Sequence, residues 1–117
     1  MKENVIRDKS FAFALRIVST YKLLCDQKKE YVMSKQLLRS GTAIGALIKE
    51  AEHAESKADF IHKMAIAQKE ANETDYWIEL LFKSEYIDTE QYQTLIFSLH
   101  EINRILSSII ITSKKQV

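Results

Sequence analysis

Leu37-Leu38-Arg39-Ser40-Gly41-Thr42-Ala43-Ile44-Gly45-Ala46-Leu47-Ile48 holds both glycines of this 117-residue chain, four residues apart, and proline occurs nowhere. Glycine inside a helix costs about 1 kcal/mol relative to alanine, so two on one face need a physical reason. Apolar residues recur around them at helical spacing, and close approach by a neighbouring helix supplies that reason.

Outward from this segment the helical period continues almost without a breaker, and the spacing predicts four helices at about 8–28, 34–54, 57–85 and 89–114. The first carries a stripe of Phe11, Ala14, Val18, Tyr21 and Cys25, widened by Phe13, Ile17 and Leu24, with Asp8 or Ser10 as its cap. The second turns Leu37, Leu38, Gly41, Ile44, Gly45, Ile48 and Ala51 inward, and the polar stretch 26–30 precedes it. In the third, Ser56 and Asp59 form a capping box ahead of Phe60, Met64, Ala67, Ala71, Thr74, Ile78 and Leu81. Asp88 and Gln91 cap the fourth, whose stripe is Tyr92, Leu95, Leu99, Ile102, Leu106 and Ile109. Helices of ~20–28 residues span roughly 30–42 Å at 1.5 Å per residue, and short connections make neighbours antiparallel. The expected fold is all-α: one domain, an up-down-up-down four-helix bundle.

Centring the second turn near Ser56 sets the register of helices two and three. Gly41 then faces Ala71, Gly45 faces Ala67 and Ile48 faces Met64, a seam of small residues that lets two backbones approach. The same register places Arg39 opposite Glu73, with Glu70 and Trp77 one turn to either side. An ion pair that fixes the helix register beside the core, with Glu73 partly buried, is the expected role of Arg39, in preference to an anion site.

Composition bounds the function. Hydrophobic residues make up 46% and charged residues 28%, as in a soluble globular domain. Apolar runs such as 109–111 with its neighbours fall far short of the ~20 residues of a membrane span. The start, Met1-Lys2-Glu3-Asn4, has no apolar signal region behind it, so a cytoplasmic location is expected. Cys25 has no second cysteine to pair with and reads as a small core residue.

Net charge is only +1, yet residues 1–49 hold ten Lys or Arg against four Asp or Glu, while residues 50–117 hold seven against twelve. Opposite fields on the two halves suit either a polyanionic partner or complementary contacts within an oligomer.

Catalytic constellations are missing. There is no glycine-rich phosphate loop, zinc-type cysteine spacing or nucleophile elbow, and no base is positioned beside Ser40, Ser56 or Ser98. Glu50-x-x-His53 and Asp59-x-x-His62 have di-iron-like spacing, but they crowd one turn at the bundle end without matching acids on the other helices. No metal, cofactor or enzymatic activity is expected. His100 reads as a surface or interface residue.

Three stretches carry a resemblance: Gln36 to Gly45; Glu55-Ser56-Lys57-Ala58-Asp59-Phe60-Ile61; and Lys69-Glu70-Ala71-Asn72-Glu73-Thr74-Asp75-Tyr76-Trp77. The chain resembles the bacterial four-helix bundle proteins called 23S rRNA-intervening sequence proteins, whose name records gene location rather than an activity. Arg39, Gly41, Gly45, Ala67, Glu70, Ala71, Glu73 and Trp77 fall within or between the matching stretches as a structural signature. The resemblance implies a left-handed bundle that assembles into a homo-oligomeric ring, pentameric in known cases. It is also distantly similar to the accessory proteins of diversity-generating retroelements, which bind nucleic acid and a reverse transcriptase. Members commonly have serine and asparagine where this chain has Ala43 and Leu47, so a polar role of that helix face is not expected here.

Self-association also has support from the residues, because Phe13, Leu80, Phe97 and Ile105 lie off the main stripes. Nucleic acid, RNA or DNA, is the leading expected partner, with Arg7, Lys9, Arg16, Lys22, Lys28, Lys29 and Lys35 as phosphate contacts. A protein-binding scaffold is the alternative.

Overall fold

A computed structural model describes residues 2–116, with side chains from residue 5 onward. All regular structure in it is α-helical: α1 (Lys2–Asp26), α2 (Met33–Ala51), α3 (Lys57–Lys83) and α4 (Thr89–Lys115). Three of these agree closely with the periodicity. α1 does not, because it starts well before Asp8 and centres its buried face on the widening residues Phe13, Ile17 and Leu24. Its core line is Ile6, Ser10, Phe13, Ile17 and Leu24, whereas Phe11 is 65% exposed. Asp8 and Ser10 therefore lie inside the helix, and neither caps it. Ser10 tolerates burial because its hydroxyl donates to the Arg7 carbonyl at 3.0 Å. Phe13 is a core residue and gives no surface for self-association, while Phe97 stands 70% exposed.

The connections explain how the chain turns without glycine. After α1, Lys29 takes a left-handed backbone (φ 53°) and the Glu30 N–H reaches back to the Leu24 carbonyl at 3.0 Å. After α3, Glu85 does the same (φ 69°), and the Tyr86 N–H bonds the Leu81 carbonyl at 2.8 Å. Glu30 then starts α2. Its carboxylate accepts from the backbone N–H groups of Val32 and Met33, both at 3.1 Å, and of Ser34 at 2.7 Å. These are the donors that a helix N-terminus leaves free. Burial opposes ionisation of Glu30, but the donors from Ser34, Met33 and Val32 outweigh it and hold the carboxyl below the usual range.

Ser56 caps α3 by accepting from the Asp59 N–H at 3.0 Å, while the Asp59 carboxylate takes the Glu55 N–H rather than that of Ser56. The Asp88–Gln91 box on α4 is reciprocal.

Residue pairs across each seam give the direction of every neighbour. From α1 to α2 they run Arg7 with Glu52, Ser10 with Gly45, Ile17 with Gly41 and Cys25 with Ser34. From α2 to α3 they are Arg39 with Glu73, Ser40 with Thr74 and Glu50 with Lys63. From α3 to α4 they are Gln68 with Ser107, Asn72 with Asn103, Asp75 with His100 and Phe82 stacked on Tyr92. Numbers rise on one helix as they fall on the next, so successive helices are antiparallel. α1 closes the circuit against α4, and the molecule measures 48 × 22 × 22 Å. The core between the helices includes Leu24, Leu37, Ile44, Met64, Ile78, Leu99 and Leu106.

One expectation is overturned. The α2–α3 register holds at Arg39–Glu73, but the glycines face α1 rather than Ala71 and Ala67. A Cβ on Gly41 would lie 2.8–3.0 Å from three side-chain carbons of Ile17, and one on Gly45 would lie 3.5 Å from the Ser10 carbonyl oxygen. Residues advance by about 100° each around a helix, so the position before Gly41 is the one that turns to α3. That residue is Ser40, whose hydroxyl accepts from Thr74 at 2.9 Å with both side chains fully buried. Ala67 and Ala71 are fully buried on α3.

Among the described residues, α4 is the one helix long and apolar enough to cross a membrane. Neutral polar residues interrupt its apolar stretch, while Glu101 and Arg104 are the only charges between Glu90 and Lys114. In the bundle its Leu95, Leu99, Ile102 and Leu106 line the core.

Two measurements check this account. In chemical denaturation Gly41→Ala is expected to lower stability by up to about 2 kcal/mol, because overpacking against stiff Ile17 exceeds the helix gain. Gly45→Ala, which meets only ordinary contacts, is expected to raise stability by up to about 1 kcal/mol. Shifts of the same sign would overturn the facing assigned to the glycines. For Glu30, a depressed folded pKa stabilises the fold above the unfolded carboxyl value of about 4.3 and is lost as pH falls through the folded value. Glu30→Ala is therefore expected to cost about 1 kcal/mol at neutral pH and to flatten the loss of stability below about pH 5.

Candidate functional site

Arg39 projects from α2 onto the side of α3 as the sequence spacing requires. Its guanidinium bonds Glu73, meets Glu70 at 3.2 Å and touches the Gln36 side chain at 3.5 Å. The second partner of Glu73 is the indole N–H of Trp77, 3.1 Å away and one turn along α3. Tyr76 packs edge-on against Trp77 with centroids 5.1 Å apart. The Arg39 hydrogen bond, then that of Trp77, holds the Glu73 carboxyl below its usual range, and Glu73 in turn raises the Arg39 guanidinium. The pair lies beside the core and only partly buried, with the Arg39 side chain 49% exposed and that of Glu73 38%. Both acids are already matched to one cation, so the cluster works as a solvent-screened clamp between α2 and α3. Half-buried Ala43 and Leu47 lie further along α2, and Leu47 packs on the core.

The seven basic candidates do not form one surface. Arg7 is near Asp8 and Glu52, at 3.8 and 3.7 Å, and Lys9 bonds Glu101 at 3.2 Å, so both are engaged at the far end of the bundle. Arg16 lies midway along α1, beside Glu90 and Gln91 of α4. Lys22, Lys28, Lys29 and Lys35 gather at the corner where α1 passes into α2, all exposed and without a salt bridge among the described residues. The α3–α4 turn at the same end is acidic, and Glu85 and Asp88 share a recess with Lys28. The corner is therefore basic on its α1–α2 side only.

The α3–α4 seam holds a polar ladder that sequence reading missed. Gln68 donates to the Ser107 hydroxyl at 2.6 Å, Asn103 donates to Asn72 at 3.2 Å, and Asp75 meets His100 at 3.1 Å. Asn103 Oδ1 is buried without a partner. The available signal was the mirrored spacing of 68, 72 and 75 with 100, 103 and 107.

Residues weighed for chemistry have structural duties. Ser40 is buried against Thr74 and Ser56 caps α3. Glu50 bonds Lys63 at 3.1 Å, and both His53 and His62 are exposed. Among the described residues no group of three or more His, Cys, Asp or Glu is gathered to hold a metal ion.

The fold and the α2–α3 signature define a helical-bundle protein of one family. The model of the 23S rRNA-intervening sequence protein family matches residues 2–108, and the chain belongs to that family. It is similar to a protein of unknown function from the S23 ribosomal protein family of Bacteroides thetaiotaomicron, known from a crystal structure. The two are 61% identical with a TM-score of 0.92, and the match covers 94% of this chain and 98% of that one. A comparison with curated proteins found no match.

Solvent screening sets the expected size of the Arg39 effect. Arg39→Ala should cost no more than about 1 kcal/mol in denaturant, since Glu73 keeps Trp77 and water. An NMR titration should show the Glu73 carboxyl rising toward its ordinary value in that variant. A loss of several kcal/mol would show that the pair is desolvated in solution.

Proposed function

We propose that this protein is a non-enzymatic, homo-oligomeric bundle that binds RNA or DNA through the basic α1–α2 corner. The observation that carries the reading is that Lys22, Lys28, Lys29 and Lys35 are exposed and free of salt bridges among the described residues, whereas Arg7, Lys9, Arg39 and Lys63 each have an acidic partner. Lysines left unpaired keep their charge available for phosphate. In this reading the chain is a left-handed up-down-up-down bundle working in the cytoplasm without a cofactor. Its antiparallel seams support that topology, and the family resemblance supports a pentameric ring. Repetition of a four-lysine corner around a ring raises the avidity of a patch that is weak in one copy.

A protein partner is the second reading, favoured by Tyr31, Val32 and Tyr76, which are large and exposed.

Fluorescence anisotropy with labelled single-stranded RNA and DNA tests the first reading. Binding should weaken steeply between ~50 and ~200 mM salt, and changing Lys28, Lys29 and Lys35 together to Gln should reduce the slope of log K against log salt by about 2. No salt-dependent shift at low ionic strength would remove the nucleic-acid reading. A single protein recovered in a pull-down, with no nucleic acid, would then favour the second.

A further inference from the structure

The α1–α2 face carries an open, mainly apolar groove of about 830 Å³. Phe11 and Leu15 stand on its α1 side, 65% and 56% exposed. Its α2 side is built from Thr42, Gly45 and Ala46. Four charges close one end, Arg7 and Asp8 from α1 and Lys49 and Glu52 from α2.

The contacts across this seam fix which residues share a level. Gly45 lies beside Ser10, Gly41 beside Ile17, and Arg7 reaches Glu52. Asp8 therefore stands level with Lys49, Phe11 with Ala46 and Leu15 with Thr42. At each apolar level α1 presents a large side chain and α2 a small one. At the charged levels the two helices present opposite signs. A rotation about any axis parallel to the bundle keeps every residue at its level. Bringing α1 of one copy onto α2 of another thus sets Phe11 over Ala46 and Gly45, Leu15 over Thr42, Asp8 against Lys49 and Arg7 against Glu52. A partner of a single charge sign would be repelled by half of these groups.

We infer that this face is where copies of the chain meet, the Phe11–Leu15 ridge of one packed on the small-residue side of α2 in the next. The inference rests on the homo-oligomeric reading above and adds the surface that forms the contact. Both ridge and groove occur on every chain, so the contact closes a pair about a two-fold axis or repeats around a ring.

Sedimentation velocity on the full chain over a dilution series tests it, with circular dichroism melting as the check on folding. The wild-type chain should sediment at a multiple of its 13.6 kDa mass. Asp8→Lys, which sets two positive charges at one level, should weaken association tenfold or more, and adding Lys49→Asp should restore it. Ala46→Glu, at an exposed helical position, should shift the chain toward monomer with unchanged melting. Wild-type association in both Asp8→Lys and Ala46→Glu would overturn this face and leave self-association standing. A double charge swap that fails to recover would overturn the level pairing. A wild-type chain that is monomeric at every concentration would overturn both the face and the oligomer.

Discussion

Ile17 occupies the space that a Cβ at position 41 would need, and the spacing of the first two helices follows from that contact. A β-branched side chain is stiff at χ1, so Ile17 cannot swing aside to accommodate a larger neighbour. With α1 seated on the Gly41 backbone, Ser10 comes to lie on Gly45 and Cys25 beside Ser34, and the remaining face of α2 is left for α3. The helical cost of two glycines is thus offset by the burial of Ile6, Phe13, Ile17 and Leu24 along the whole seam.

The two sides of the bundle solve their polar problems differently. Between α2 and α3 the buried hydroxyls of Ser40 and Thr74 bond each other at 2.9 Å, with the Glu70 carbonyl of α3 2.8 Å from Thr74 Oγ1. Between α3 and α4 amides and hydroxyls bridge the rim in a ladder, with aromatic stacking of Phe82 on Tyr92 at one end. The α1–α2 side has little of either, and there the exposed Phe11 and Leu15 stand beside the small residues of α2. Along that same α1–α2 seam, the face assigned to self-contact lies toward the Arg7–Glu52 end, and the lysine corner assigned to nucleic acid lies at the other.

Much of this architecture is legible in the residues. α3 and α4 announce themselves through Ser56 and Asp88 as caps and through unbroken core stripes, and the Arg39–Glu73 pair follows from one choice of turn centre. α1 is less legible for a specific reason. Phe11 and Phe13 offer two overlapping apolar stripes, and periodicity alone cannot say which one meets a neighbour. Asp8 and Ser10 look like caps for the same reason: a polar residue ahead of an apolar run has that signature whether or not the helix has already begun. Glu30 was placed in a polar connection, and its service to three backbone donors depends on the left-handed turn at Lys29.

The seven basic residues show the same division. Their number and their bias toward the first half of the chain are plain in the sequence, but which of them lack acidic partners is a property of the packed helices. Composition, helical period and caps are local, and they determined an all-α chain of four helices with glycine reserved for one close approach. The direction each face turns is collective, because a rotation of about 100° separates Gly41 from Ser40 and only the simultaneous packing of α1 and α3 selects it. The tertiary structure therefore decided that the glycines serve α1, that Arg39 stays in water, and that Phe11 and Leu15 remain uncovered.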